Sequence, residues 1–379
     1  MATASAKIAP AEIAPAEIVP AEIVPAEKVK LYRLAADQGD AEAQYNLGIA
    51  LNNGDGVAVD PVESATWMRL AAKQGHAVAQ LSLGIYYKNG YGVAEDPVEA
   101  AKWFRLAAEQ GVAMAQYYLG VMRNVGEGLP KNKAKAAKWF RLAAEQGVAH
   151  ARHNLGIMYE LGDGVSKDLA EAVKWYRLAA EQGLPETQHK LGFKYAHGEG
   201  TPKNLALAAK WYRLAAEQGL PQSQFSLGII YDTGKGAPKN LALAAKWYRL
   251  AAEQGLPEAQ FNLGVMLQDG EGVAKDLTEA AKWFQLAAEQ GKPEAQVNLG
   301  LMLQQGNGVA KNLAEAAKWY RLAAEQGQPV AQFNLGVMSA GGEGVAKNLT
   351  EAAKWLQLAA NQGYADARLT LKLIDKMEI

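Results

Sequence analysis

Four of the five histidines in this 379-residue chain lie between residues 150 and 197. His150 and His153 are three residues apart and share one face of a helix, and His189 follows His153 by 36 residues. Together with His197, these imidazoles could bind zinc or change charge near neutral pH. The chain has no cysteine, and Glu186 is the one obvious carboxylate nearby. A metal or pH sensor, a variable binding surface and simple packing therefore remain open.

A second set of polar residues recurs at the same spacing of 36 residues. When each 36-residue segment is numbered from Ala41 and its equivalents, position 6 is asparagine in five segments. These are Asn46, Asn154, Asn262, Asn298 and Asn334, and the intervening segments have Ser82, Tyr118, Lys190 and Ser226. An asparagine amide both donates and accepts hydrogen bonds. A ladder of amides could bind the backbone of an extended peptide; a bond to a neighbouring segment, or solvation, is the alternative.

The residue before each of these is mostly aromatic or aliphatic. Position 5 is occupied by Tyr45, Leu81, Tyr117, His153, His189, Phe225, Phe261, Val297 and Phe333. Packing between adjacent helices explains this set most simply, and partly exposed hydrophobic pockets are the alternative.

Catalytic motifs are missing from the sequence. HExxH, SxxK and CxxC do not occur, and Thr233-Gly234-Lys235-Gly236 lacks the upstream glycine spacing of a phosphate loop. We therefore predict a protein that is not an enzyme, without catalytic, cofactor-binding or metal-binding residues and without a cofactor.

The residues that must position these side chains follow a strict period. All nine tryptophans lie 36 residues apart, and a Leu-Gly pair and a Gln-Gly pair recur at the same interval. The tryptophans are Trp67, Trp103, Trp139, Trp175, Trp211, Trp247, Trp283, Trp319 and Trp355. Nine segments without an insertion predict a solenoid of tandem repeats.

Each repeat reads as two helices. In residues 257–292, Pro257 suits the first position of a helix that ends at Gly270. Asp276 then caps a second helix, with Glu279 completing a capping box. Two isolated helices cannot cover both of their apolar faces, so we expect neighbouring repeats to stack.

These motifs resemble a known family. The pattern A-x-A-Q-Y/F-N-L-G, then G-x-G-V, then D/N-x-x-E-A-x-K-W-Y/F-R-L-A-A-E-Q-G is similar to the Sel-one-like repeat family, relatives of tetratricopeptide repeats, over about residues 25–379. The resemblance implies an all-α, right-handed superhelical α-solenoid that serves as a scaffold or adaptor. Some family members are rich in disulfide-bonded cysteines, which this chain lacks.

The resemblance also suggests where a partner binds. Tetratricopeptide-like solenoids present their first helices on the concave face, where positions 2, 6, 9 and 13 lie within about 60° of one another. We call these four positions the first-helix strip. The candidate partner-binding residues are Tyr45, Asn46, Tyr117, Tyr118, His150, His153, Asn154, His189, His197, Phe225, Phe261, Asn262, Asn298, Phe333 and Asn334.

The predicted function is a non-catalytic scaffold that binds a peptide or protein segment on the concave face. The alternatives are a metal- or pH-responsive adaptor using the His150–His197 cluster, or a nucleic-acid-binding helical repeat protein. With 39 basic and 40 acidic residues, the net charge of −1 argues against nucleic acid and anionic membranes as partners. A monomer is the default expectation.

The domain organisation is predicted from the same register. Residues 25–39 form an N-terminal capping helix, 40–363 nine repeats and 364–379 a C-terminal capping helix. Residues 1–24 carry prolines every five residues, which predicts a disordered tail serving as a linker or a docking peptide. This segment lacks the apolar core of a secretory signal, and no stretch approaches the roughly 20 apolar residues of a membrane span. A cytoplasmic protein is therefore expected.

Overall fold

The computed structural model describes residues 24–375, and all regular structure in this range is α-helical. The chain forms two compact units, residues 1–139 and residues 140–379, whose boundary falls within one helix. Apart from Val24, the predicted tail lies outside the described residues. In the range that the structure covers, every helix falls short of the length and apolarity needed to cross a membrane.

Twenty helices follow one another in pairs. The first helices of repeats 1 to 9 are α2 Ala41–Asn53, α4 Ala77–Asn89, α6 Ala113–Val125, α8 Ala149–Leu161, α10 Pro185–His197, α12 Pro221–Thr233, α14 Pro257–Asp269, α16 Pro293–Gln305 and α18 Pro329–Gly341. The second helices are α3 Pro61–Lys73, α5 Pro97–Glu109, α7 Lys133–Glu145, α9 Leu169–Ala180, α11 Leu205–Glu217, α13 Leu241–Glu253, α15 Leu277–Glu289, α17 Leu313–Glu325 and α19 Leu349–Asn361. Single helices, α1 Pro25–Asp37 and α20 Ala365–Asp375, stand before and after them. The predicted all-α class with nine two-helix repeats is confirmed.

The helix ends follow from local chemistry. Asp276 accepts a hydrogen bond of 2.8 Å from the backbone N–H of Glu279 and so caps α15. Helix α14 ends at Gly270, whose φ of +78° is a left-handed conformation that suits glycine. Caps of these two kinds recur along the chain and place each helix within the 36-residue period.

Within a repeat the two helices approach closely at position 8, which is glycine in all nine repeats. A Cβ atom on Gly264 would lie 2.7 Å from the ring of Phe284 in α15, closer than such contacts allow. The absence of a side chain at Gly264 lets the aromatic ring fill the space between the paired helices. The ring of Phe284 is fully buried as a result.

A buried glutamine at position 4 links consecutive repeats. Gln260 donates a 3.1 Å hydrogen bond to the carbonyl of Ala252 in the preceding repeat, and its own carbonyl accepts one of 2.8 Å from Gln290. Buried polar groups need such partners to avoid a desolvation penalty. The same side chain is buried at Gln44, Gln80, Gln116, Gln188, Gln224, Gln296 and Gln332.

The hydrophobic core continues from repeat to repeat. In the C-terminal unit one cluster of buried residues runs from Ala216 to Met302, and Trp247, Trp283 and Trp319 pack against it. All nine tryptophans are buried or half-buried. Each repeat therefore gains much of its apolar burial from the repeats beside it.

Candidate functional site

The first-helix strip faces solvent. In repeat 7, Glu258 and Asp269 at positions 2 and 13 are exposed and Asn262 at position 6 is half-buried. Ala259 and Leu263 on the opposite face are fully buried. The helical period thus divides each first helix into a core face and an accessible strip.

Clefts recur along this strip where the first helix of one repeat meets the preceding repeat. In the N-terminal unit, a cleft of about 300 Å³ is lined by Tyr32 of α1 and by Asn46 and Ile49 of α2. In the C-terminal unit, a cleft of about 370 Å³ lies between α14 and α16 and includes Asn298 and Gln305. A third, of about 420 Å³, lies between α10 and α12.

The asparagines at position 6 have different surroundings. Asn46 donates a 3.3 Å hydrogen bond to Glu42, and Asn298 lines the α14–α16 cleft. Burial raises the pKa of Tyr248 in the preceding repeat, and a hydrogen bond from Asn262 to its hydroxyl opposes that shift. Asn334 approaches the hydroxyl of Tyr320 in the same way, but its buried Nδ2 atom meets no acceptor with hydrogen-bond geometry in the described part of the chain. Asn154 is half-buried.

The candidate residues at position 5 lie beneath the strip and contact aromatic rings. Phe225 and Phe261 pack on Tyr248 and Phe284 of their own second helices, with ring centroids 5.7 and 5.9 Å apart. Further ring pairs are Tyr45 with His76, Tyr117 with Tyr118, Tyr118 with Phe104, and Phe333 with Tyr364. The candidate side chains in these pairs are half-buried and help to join the helices.

Two histidines occupy position 5 and contact the next repeat. The Nδ1 atom of His153 lies 2.7 Å from the hydroxyl of Thr187, and that of His189 lies 2.8 Å from the hydroxyl of Ser223. Burial, reinforced by the charge of Lys190, lowers the pKa of both imidazoles. These surroundings therefore favour the neutral form of both side chains.

The other two histidines of the cluster have different surroundings. His150 is exposed, and its charge adds to the effect of burial in lowering the pKa of His153. The Nδ1 atom of His197 lies 3.0 Å from the carbonyl oxygen of Phe193, and its ring stacks on Phe193 with ring centroids 4.0 Å apart. Among residues 24–375, no three His, Cys, Asp or Glu side chains converge as a metal site requires.

A buried charge cluster, which the sequence analysis missed, lies between α8 and α10. Lys194 is only 3% exposed, and its Nζ atom pairs with Glu160 and with Glu199, the latter at 2.6 Å. Tyr176 donates a 2.6 Å hydrogen bond to Glu160, and Lys190 lies 3.2 Å from the same carboxylate. Burial alone would raise the pKa of Glu160, but these donors lower it to about 2.

One signal in the sequence could have revealed this cluster. Position 10 is otherwise alanine, tyrosine, isoleucine or methionine, so Lys194 interrupts an apolar series. A lysine at a core-facing position requires an acidic partner.

Consecutive helix pairs that repeat every 36 residues and carry clefts along their first helices define an α-solenoid of tandem repeats. The Sel1 repeat model matches residues 29–40, 41–76, 77–112, 113–148, 149–184, 185–220, 221–256, 257–292, 293–328 and 329–364. The chain belongs to the Sel1 repeat family, whose members generally mediate protein–protein interactions and are generally non-catalytic scaffolds.

Solved structures are similar over most of the chain. A protective antigen present in uropathogenic Escherichia coli strains, which displays an SLR fold, is 35% identical with a TM-score of 0.76, covering 91% of this chain and 82% of the antigen. A Sel1 repeat protein from Oxalobacter formigenes is 33% identical with a TM-score of 0.62, covering 83% of this chain and 93% of that protein. No curated protein sequence matches significantly.

Proposed function

We propose that the C-terminal unit is a non-catalytic scaffold that holds an extended segment of a partner protein along the first-helix strip of repeats 4 to 9. The observation that carries this proposal is the recurrence of clefts on the accessible side of the first helices, where Asn298 and Ser226 occupy the same position of the repeat. The general role of Sel1 repeats in protein interactions supports it.

The repeated arrangement favours many modest contacts over one strong contact. Each cleft offers a few polar groups and some apolar surface, and the core fixes the helices before a partner arrives. Because the binding groups are already ordered, little conformational entropy is lost on binding. Contacts from successive repeats then act together as linked binding sites.

Amides on the strip supply the backbone contacts in this proposal. Asn298 lines a cleft, and Asn262 lies one repeat earlier at the same position. Replacing both with alanine removes two side chains that can pair with a peptide backbone, at roughly 1 kcal/mol each. We expect Asn262→Ala with Asn298→Ala to weaken partner binding by about tenfold or more.

The experiment is affinity capture from cells that carry the gene, with bound proteins quantified by mass spectrometry. The matched control is Glu217→Ala with Glu253→Ala, two exposed residues on second helices of neighbouring repeats. The proposal expects partners that bind the wild type and the control but are depleted with the asparagine variant, at similar melting temperatures. Equal capture by all three proteins would contradict it.

A further inference from the structure

The cleft between α10 and α12 differs from the others in shape. Its floor consists of Leu205, Ala208 and Tyr212 of α11, and its walls are the facing sides of α10 and α12. Two short side chains, Ala196 and Ser226, line it at positions 12 and 6, where four and five of the other repeats, respectively, carry glutamine or asparagine. The short side chains leave room, and the volume of about 420 Å³ lies within the range of clefts that enclose small ligands.

The α10–α12 cleft is also more apolar than the α14–α16 cleft. Phe193 and Ile229, at position 9 of successive repeats, flank it and remain 40% and 39% exposed. The α14–α16 cleft instead has Gln268, Asn298 and Gln305 on its lining. Because burying apolar area is favourable in proportion to that area, an incoming apolar side chain gains more here.

The charge at the rim of the α10–α12 cleft differs from the charge at the same repeat position elsewhere in the chain. Lys235 lines the cleft at position 15, where six of the other repeats carry an acidic residue. These are Asp55, Glu127, Asp163, Glu199, Glu271 and Glu343. Glu199 precedes the floor helix, but its carboxylate pairs with Lys194 at 2.6 Å. The rim therefore presents a cation where the repeat pattern places an anion.

We propose that the α10–α12 cleft binds a large apolar side chain of the partner segment, and that acidic residues flank this side chain and pair with Lys235. The inference deepens the proposed function, on which it rests, by assigning the chemistry of the partner at one place on the strip. The exposed faces of Phe193 and Ile229 would hold the apolar group, and Lys235 would select against basic neighbours.

The test is a random peptide library displayed on phage and panned against the full chain. Enriched peptides are synthesised, and their dissociation constants are measured by fluorescence anisotropy. We expect them to share a large apolar residue with an aspartate or glutamate beside it. Enrichment of basic peptides, or no enrichment above bare beads, would overturn the proposal.

Two matched pairs of variants locate the binding site. Ile229→Ser should raise the dissociation constant about tenfold, whereas Leu358→Ser, on the second helix α19 with the same 39% exposure, should leave it unchanged. Lys235→Glu should have a similar effect, and Lys239→Glu, on the same loop, should have little. Lys235 is an exposed loop residue, so its substitution does not threaten folding.

The outcomes separate this inference from the proposed function. If Ile229→Ser and Lys235→Glu both leave binding unchanged while Asn262→Ala with Asn298→Ala abolishes it, the cleft assignment is wrong and the strip remains the binding surface. Loss of binding with Ile229→Ser alone would overturn the acidic part of the proposal.

Discussion

In repeat 6, the ring of Tyr248 on the second helix packs against Gly228 at position 8, which has no side chain to obstruct it. We predict that Gly228→Ala destabilises the protein by about 1–3 kcal/mol, because its Cβ atom would lie 2.5 Å from the ring of Tyr248. Gly341→Ala is the control, since the nearest atom to its new Cβ is 3.5 Å away and alanine favours a helix. Urea unfolding followed by circular dichroism should give a lower midpoint only for Gly228→Ala.

Substitutions at Glu160 and Lys194 test whether their buried ion pair stabilises the junction between repeats 4 and 5. Glu160→Gln should cost about 2–4 kcal/mol, because Lys194 stays charged and buried with fewer partners. Glu160→Gln combined with Lys194→Met recreates the glutamine and methionine found at Gln304 and Met338, and it should recover that loss. A double variant as unstable as Glu160→Gln would show that the pair is needed for stability.

The acid sensitivity of this junction follows from the pKa of Glu160. A free glutamate titrates near 4.3, whereas the pKa of Glu160 in the folded protein is about 2. The stabilisation is therefore complete above about pH 4.3 and is lost as the pH falls towards 2. Hydrogen exchange of α8 and α10 should increase over this interval, and much less so with the double variant.

Helix junctions that contain His153 and His189 should weaken at mildly acidic pH. Burial lowers the pKa of both histidines, so the unfolded chain, in which histidine titrates near 6.5, binds protons more readily. The free energy of unfolding should therefore decrease as the pH falls from about 7.5 through 6.5 towards the lower pKa of the folded state. Thermal unfolding at pH 7.5 and 5.5 measures the effect.

A double variant removes one of the two buried histidines, His189, and keeps residue types that occur at the same positions in another repeat. His189→Phe with Ser223→Ala recreates the phenylalanine and alanine at Phe225 and Ala259. It should reduce the pH dependence, whereas His150→Gln, on an exposed residue, should not. An identical pH dependence in all three proteins would rule out His189 as its source.

At the scale of helices, the sequence predicts most of the structure. The 36-residue period, with Gly270 as the C-cap of α14 and Asp276 as the N-cap of α15, locates these helix ends because capping is a local effect. The α10–α12 cleft could not be predicted in this way. Phe193 and Ile229 resemble the apolar residues at position 9 elsewhere, and the cleft beside them is formed by residues of three helices, α10, α11 and α12.

The same limit applies to the candidate site residues. A periodic count separates the strip from the core, but it does not show whether an asparagine is already engaged. The amide of Asn262 opposes the rise in the pKa of Tyr248 that burial causes in the preceding repeat, whereas Asn298 lines a cleft. The difference arises from the facing second helix, where Tyr248 has a hydroxyl and Phe284 has none.

For the whole array, stability should depend on neighbouring repeats. The core cluster from Ala216 to Met302 spans several repeats, so a single repeat leaves much of its apolar surface in water. We predict that a peptide of residues 257–292 is largely unfolded, whereas residues 221–328, with three repeats, are helical and unfold cooperatively. Circular dichroism of both fragments tests this, and a stably folded single repeat would contradict it.

Photo-cross-linking in cells tests the proposed binding surface most directly, since it requires no knowledge of the partner. A benzophenone amino acid is placed at Thr233 or Gln305 on the first-helix strip, or at Glu253 or Glu289 on second helices, all four being exposed. The strip positions should give covalent adducts with the same protein, and the second-helix positions should not. Adducts formed only from the second helices would contradict the assignment of the strip as the binding surface.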